Sequence, residues 1–377
     1  MASPTSACSL RRRSIASPGS GLYGRLARPL LFRLDPERAH ELAIGSLARA
    51  HRLAPIIGRA TLDPRLGRHL MGVDFPNPVG LAAGFDKYAR AVPAWPGLGF
   101  GFVEVGTITA HPQPGNPTPR IFRLPLDGAL INRLGFNNDG AAATAERLAE
   151  WDRRGVLHRV PIGVNIGKSK VTPLEAAASD YLASFQALQG FADYVVVNVS
   201  SPNTAGLRTL QGVDELEAIL GGLIAARGGA RPPILVKIAP DLTPTQVEDA
   251  VALVERLGID GVVVSNTTLA RDGLRSPVAL AAEAGGLSGA PLRRRATALV
   301  RDVRRSLSPG RVLIGVGGIF TADDAWEKLV AGADLCQIYT GFVYGGPRTA
   351  ATINRGLSAR LTAEGAASID EIVGTGA

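Results

Sequence analysis

The chain has 377 residues, 46% of them hydrophobic and 20% charged, which suits a globular protein with one large domain and an appendage. Two cysteines, Cys8 and Cys336, exclude a disulfide framework, an iron–sulfur cluster or a cysteine zinc site built from this chain alone, and no apolar run of about 18 residues is long enough to span a membrane. The net charge of +8 sits in residues 1–70, where twelve arginines face four acids; the rest balances at 29 against 29, with no bias towards nucleic acid.

In residues 1–20 the arginines 11–13 are not followed by an apolar h-region before Pro18 and Gly19, so the segment reads as a disordered basic tail rather than a signal peptide. Residues 21–60 read as a separate helical unit. Leu22, Leu26 and Leu30 form a short apolar stripe limited by Pro29. Asp35 and Pro36 then supply an N-cap and first helical position ahead of Leu42, Ala43, Leu47 and Ala50. Two readings stay open for this unit: packing on the main domain, or lying in a membrane interface with its arginine stems snorkelling.

From residue 78 short β-rich runs alternate with helical stretches. The runs are 78–83, 102–106, 162–166, 194–199, 234–238, 261–266, 312–317 and 335–340. Helical segments such as 173–189 and 243–257 separate them; the second opens on a capping box from Thr243 to Gln246, and Thr321 caps the helix before the last run. Eight buried strands with intervening helices predict a (β/α)8 TIM barrel over residues 61–360, in preference to an open doubly wound sheet, with 361–377 left as a C-terminal tail. Within the long connection 107–137, residues 121–124 and 129–131 flank a Pro125–Gly128 turn and predict a hairpin over one barrel end.

A barrel places chemistry at the C-terminal ends of its strands. Those ends read Gly84-Phe85-Asp86-Lys87, Gly106-Thr107, Asn165, Asn198 to Asn203, Lys237, Ser265-Asn266-Thr267-Thr268, Gly317-Gly318 and Tyr339-Thr340-Gly341. Only five lysines accompany 36 arginines, yet Lys87, Lys168 and Lys237 fall at or just after strand ends, which suggests a need for a compact ammonium group. Glycines at the last two ends, with a further glycine-rich loop from Gly285 to Gly289 after strand six, suit a phosphate. No metal site is visible. The five histidines form no close pair and none lies at a strand end, which argues against a His-based triad.

These motifs together resemble dihydroorotate dehydrogenase in its class 2, membrane-associated, quinone-dependent form. The resemblance runs from about Leu22 to Ile353 and is carried by AAGFDK (82–87), EVGTITAHPQPGNPTPRIFRL (104–124), INRLGFNN (131–138), VNIGKSK (164–170), NVSSPNTAGLR (198–208), VKIAPDL (236–242), SNTT (265–268), GGLSGAPL (285–292), GVGGI (315–319) and QIYTGF (337–342). It implies oxidation of dihydroorotate to orotate in pyrimidine synthesis, with one FMN per chain and a membrane quinone as acceptor. It implies peripheral attachment to the anionic cytoplasmic face of the cell membrane, with no nucleic-acid or iron–sulfur partner.

The resemblance also assigns residues. Ser201 is the catalytic base, where class 1 relatives carry a cysteine. Lys87, Asn132, Asn198, Asn203, Asn266 and Thr267 hold substrate, with the chain at Arg133, Leu134, Gly135 and Phe136. Ala83, Gly84, Phe85, Asp86, Lys87, Thr107, Asn165, Asn198, Lys237 and Ser265 hold the flavin and ribityl groups, and Gly289, Gly318, Tyr339 and Thr340 the phosphate. Within the 21–60 unit, LFRLDPERAHELA (31–43) matches the family's quinone entrance, and His40 and Arg123 lie near the quinone head group. Phe85 stands where the family has leucine, and Tyr88 where a small or acidic residue is commoner. Competing readings are a class 1-like barrel using fumarate or NAD, a phosphate-binding barrel without flavin, and a membrane-docked binding protein without catalysis.

Overall fold

The computed structural model describes residues 23–60, 62–229 and 231–377. The expected basic tail, and Leu22 of the first apolar stripe, lie outside the described residues.

Eight strands close into an all-parallel barrel in sequence order: β1 (Val79–Leu81), β2 (Phe102–Ile108), β3 (Ile162–Ile166), β4 (Tyr194–Asn198), β5 (Ile234–Ile238), β6 (Gly261–Val264), β7 (Val312–Val316) and β8 (Leu335–Ile338). β8 pairs with β1 and so shuts the ring. The strands are Val- and Ile-rich because both faces are covered, the outer by helices and the inner by the opposite wall. The outer core joins Val103, Val105, Val195 and Val197 to helix residues such as Phe185 and Leu220. The inner core holds Phe102, Tyr194, Leu235 and Ile314. A hairpin of Arg68–Leu70 and Val73–Phe75 plugs the floor, with Phe75 edge-on to Phe102 at 5.4 Å. Several expected strands run one or two residues too long, since the final polar residues leave the ladder and turn into the barrel mouth.

The helix signals hold. Thr243 Oγ1 accepts the N–H of Gln246 and caps Pro244–Arg256, and Thr321 does the same with Asp324 for Ala322–Val330. Asp35 Oδ1 accepts from Glu37 N and Arg38 N at 3.0 Å and starts Pro36–Arg49.

The N-terminal unit packs on the main domain, the first of its two readings. One face packs: Ile44 joins the core, Arg120 pairs with Glu37 at 2.6 Å, and Tyr23 Oη donates to the Val343 carbonyl at 2.8 Å. Its other face is open. Among the described residues fourteen large hydrophobic side chains are exposed; seven lie in this unit, from Leu26 to Ile57, and Leu62 follows it. Among the described residues no helix is long and apolar enough to cross a membrane.

Two features differ from expectation. Residues 361–377 are part of the barrel rather than a tail. Helix Thr349–Glu364 carries fully buried Leu357 and Leu361. Ile369 is then fully buried, and the N–H groups of Gly374 and Gly376 donate to Leu329 O and Val330 O at 2.9 Å. Burial of these aliphatic side chains outweighs the weak local signal of a glycine-rich end. The glycine-rich segment after β6 is also not a loop. Gly286–Gly289 forms a third antiparallel strand on the predicted hairpin, now Ile121–Leu124 and Ala129–Asn132, with Gly286 opposite Asn132 and Gly289 opposite Ala129. This three-stranded lid covers the C-terminal mouth.

Candidate active site at the barrel mouth

Beneath the lid lies a cleft of about 1080 Å³, open solvent at its mouth included. The strand ends line it. β1 and β2 contribute Ala83, Gly84, Lys87 and Thr107, and the β4 end contributes Asn198, Ser201 and Asn203. β5 and β6 contribute Lys237, Ser265, Asn266 and Thr267. Gly318, Tyr339 and Thr340 follow β7 and β8, and the lid adds Asn132, Leu134, Gly135, Phe136 and Gly289.

A carboxamide array fills the middle. Asn198 Nδ2 donates to Thr107 Oγ1 at 3.0 Å and to Asn165 Oδ1 at 3.2 Å. Asn266 Nδ2 donates to Asn198 Oδ1 at 3.2 Å and to Ser200 Oγ at 3.0 Å. On the lid side Asn203 Nδ2 donates to Asn132 Oδ1 at 3.0 Å, while Asn203 Oδ1 is buried without a partner. A buried carbonyl oxygen left bare in native protein calls for a ligand donor. Ser201 Oγ, on a residue only 5% exposed, accepts the Asn203 N–H at 3.2 Å. The serine sits on the strand-end turn because Pro202 and Asn203 bend the chain out of β4.

Two ammonium groups face this array. Lys87 is 4% exposed and Lys237 5%. Neither has a hydrogen-bond acceptor among the described residues; the nearest anion to Lys237 is Glu104 Oε1 at 3.8 Å. Burial pulls Lys87 down to about 8, against the opposing pull of Glu41 and Glu37, and burial likewise lowers Lys237 against the opposing charge of Glu104. Two buried cations lacking acceptors fit an anionic, acceptor-rich ligand.

The far end is a backbone cradle. Gly289 has φ +101°, and a Cβ there would stand 2.3 Å from the Gly128 carbonyl oxygen. At Gly318, with φ +74°, a Cβ would stand 2.3 Å from Arg293 Cβ. Side chains are thus excluded where an anion needs to meet backbone N–H groups. Thr340 Oγ1 and Ser288 Oγ share a hydrogen bond at 2.8 Å beside it. The donors fit a phosphate monoester.

Not every expected residue enters the cleft. Phe85 packs among Trp95, Tyr339 and Phe342. The Asp86 carboxylate accepts from Arg90 N, Ala91 N and Trp95 Nε1 and so braces the loop after β1. The Arg133 side chain pairs with Glu283 at 2.6 Å over the Phe122 ring. Asn165 lies under the floor, donating to Glu104 Oε1 at 2.7 Å and accepting from Thr107 Oγ1 at 2.5 Å. Lys168, singled out by its position, is spent on the carbonyls of Ser169 and Thr172.

His40 and Arg123 sit on the N-terminal side. His40 lies edge-on to Phe85 at 5.0 Å, and burial together with the Lys87 charge holds its imidazole well below the usual range. Arg123 stacks on Phe32 at 4.6 Å and donates to Leu34 O at 2.9 Å. Phe32 in turn meets Tyr344 edge-on at 5.3 Å.

Sequence reasoning missed Gln337, Ser288 and Glu104. Gln337 lines the cleft from inside β8, and Glu104 is fully buried in β2. For these two the signal was there, a polar residue within an otherwise apolar strand run. Among the described residues no group of three His, Cys, Asp or Glu is arranged to hold a metal ion.

A closed barrel with a phosphate cradle after β7 and β8, buried ammonium groups along the cleft and a carboxamide array around a serine defines an enzyme. Its donors and acceptors suit a phosphate group at one end and a small polar ring at the other. Residues 65–361 match the family model described as dihydroorotate dehydrogenase. A protein of Gloeobacter violaceus named dihydroorotate dehydrogenase (quinone) is 52% identical over 93% of this chain and 98% of its own length. One of the same name from Thermus thermophilus is 51% identical over 91% and 98%. The crystal structure of ligand-free DHODH from Eimeria tenella matches with a TM-score of 0.83 at 39% identity, covering 90% of this chain and 99% of that one. A second structure of the Eimeria enzyme, in complex with ferulenol, matches with a TM-score of 0.82 at 37% identity over 92% and 98%. The chain belongs to the dihydroorotate dehydrogenase family.

Proposed function

We infer that this chain oxidises dihydroorotate to orotate in pyrimidine synthesis, with a flavin as the first electron acceptor and a quinone as the second, and that the flavin is FMN. The observation that carries the reading is the pair of buried ammonium groups, Lys87 and Lys237, without hydrogen-bond acceptors among the described residues, in the same cleft as Ser201 and the glycine cradle of Gly289 and Gly318.

The reaction removes a proton from C5 of dihydroorotate and a hydride from C6. The bound flavin supplies the hydride acceptor and later releases the electron pair to quinone. Ser201 Oγ takes the C5 proton as its own hydroxyl proton passes to solvent water at the mouth of the cleft. A serine hydroxyl is a weak base in water, so its burial and its fixed position over the Asn203 N–H matter. Asn132, Asn198, Asn203 and Asn266, with Thr267, offer both donors and acceptors to the amides of the substrate ring. Lys87 meets substrate and flavin, and Lys237 stabilises negative charge that develops on the flavin. Thr107, Asn165 and Ser265 order its ring and ribityl contacts, Asn165 acting through Thr107. Gly289, Gly318, Tyr339 and Thr340 hold the phosphate.

His40 and Arg123 serve the quinone head group. The eight exposed aliphatic side chains from Leu26 to Leu62 dock the N-terminal unit on a membrane surface, where the arginines of residues 1–70 favour anionic lipid. The placement is peripheral, on the cytoplasmic face.

An anaerobic visible spectrum tests the reading. The purified protein should show flavin bands that bleach with dihydroorotate and return on adding quinone. A preparation that is colourless and cannot be loaded with FMN would overturn it. So would bands that ignore dihydroorotate.

A further inference from the structure

Under the cleft floor lies a carboxylate that none of the steps above uses. Glu104 is fully buried inside the barrel, on β2. Its Oε1 accepts Asn165 Nδ2 at 2.7 Å and its Oε2 accepts Gln337 Nε2 at 2.5 Å. Lys237 Nζ, from the opposite wall, stands 3.8 Å from Oε1. One carboxylate thus ties β2, β3, β5 and β8 together at a single level, directly below the residues that line the cleft.

A buried carboxylate is costly unless paired, and a buried ammonium equally so. Two neutral amides alone do not neutralise Glu104, and among the described residues no other anion pairs with Lys237. Tyr194 Oη faces the same level from β4 without a hydrogen-bond partner, and burial and the Glu104 charge push its phenol well above the usual range, so it remains neutral. The second cation of the cleft, Lys87, answers to Glu41 and Glu37 on the N-terminal unit. The charge balance under the cleft therefore rests on one pair.

We propose that Glu104 is a positioning residue for flavin reduction: as the buried counter-ion of Lys237 it keeps that ammonium in place beneath the cleft and thereby tunes the flavin. The proposal rests on the FMN reading above. Burial alone drives Lys237 towards its neutral form and Glu104 opposes this, so the pair acts together in setting the charge that a reduced, anionic flavin would meet.

The test is the reduction midpoint potential of the flavin-loaded full chain against pH, in wild type and Glu104→Gln. Where Lys237 keeps its proton, the variant has gained net positive charge and is easier to reduce. Where the unpaired lysine loses its proton, the variant is harder to reduce. The two curves should therefore cross as pH rises, with about a tenfold change in the reduction equilibrium on either side of the crossing, the effect of one pKa unit. A constant offset, or none, would show a merely structural role and overturn the proposal.

If Glu104→Gln does not fold, Lys237→Met is compared with Lys237→Met/Glu104→Gln. The orphaned carboxylate of the single variant should add a pH-dependent component that the double variant lacks, and identical profiles would overturn the proposal. A protein that binds no flavin at all would instead sink the FMN reading.

Discussion

The N–H of Asn203 donates to Ser201 Oγ at 3.2 Å, while the Asn203 carboxamide donates across the cleft to Asn132 Oδ1 at 3.0 Å. One residue thus fixes the serine from below and joins it to the lid. The serine oxygen is held as an acceptor, and a donor aimed at it favours the oxygen once its own proton has left.

Ser201→Ala should keep its flavin and its fold, since the side chain makes only one hydrogen bond. Flavin reduction by dihydroorotate should slow by about 10²–10⁴-fold, the usual contribution of a positioned acid–base group. Stopped-flow bleaching measures this directly, and a wild-type rate would remove Ser201 as the base.

Lys87 has its ammonium pulled down to about 8 by burial. It is charged below that pH and neutral above it. Binding of an anionic substrate therefore weakens as pH rises through 8, and kcat/KM for dihydroorotate should fall above about pH 8. Lys87→Arg should lose this break, because a guanidinium stays charged. A profile flat to pH 9.5 in wild type would contradict the assignment.

The exposed aliphatic row on the N-terminal unit makes no use of the barrel. Replacing Leu30, Leu42 and Ile56, which are 61%, 57% and 71% exposed, by glutamate should leave dihydroorotate-driven bleaching intact. Binding to anionic vesicles and turnover with a membrane quinone should both fall at least about tenfold, as expected when several aliphatic side chains no longer enter lipid. Cosedimentation and a quinone-coupled assay separate the two effects. Unchanged vesicle binding would put the membrane face elsewhere.

Lys328 lies outside the cleft, fully buried, with Nζ donating to Thr297 Oγ1 at 2.7 Å. Burial lowers it from 10.5 to about 7. The unfolded chain then binds the proton more tightly than the folded one across this window, so stability should rise with pH from about 7 towards 10.5. Lys328→Met removes that slope. The check is denaturant unfolding at several pH values, where parallel pH dependence in the two proteins would refute the prediction.

Ile369 is fully buried although it lies in the last ten residues. Ile369→Ala should destabilise the protein by about 2–5 kcal/mol, the range for large-to-small changes in a core. A change below 0.5 kcal/mol, typical of an exposed site, would mean that this segment is indeed a tail.

The barrel was legible because its strands are short, apolar and β-branched and its helices carry strong caps at Asp35, Thr243 and Thr321. The cleft was legible because the strand ends are polar where a barrel places its chemistry, and the family resemblance supplied the roles. Position along the chain did not distinguish Lys87 and Lys237, which face the cleft, from Lys168, whose ammonium is satisfied by nearby carbonyls. Only packing separates these cases. Glu104 was passed over because it sits mid-strand, and Gly286–Gly289 was read as a loop because strand pairing between segments some 150 residues apart leaves no local mark. The closing contacts of Ile369 and Ile372 were hidden for the same reason.

That pairing has an evolutionary consequence. In the lid, Asn132 faces Gly286 and Ala129 faces Gly289. Asn132, proposed to meet the substrate, and Gly289, proposed to meet the phosphate, therefore mark opposite ends of one ladder, three residue steps apart, about 10 Å. A single-residue insertion or deletion in either segment would slip the ladder, move one mark against the other and turn the strand's faces over. The Pro125–Gly128 turn and the long return to Gly286 lie outside the pairing, but the four-residue ladder is a ruler whose graduations move together. A change of cofactor or substrate length in this fold would then have to arrive as paired changes in two distant stretches of the gene.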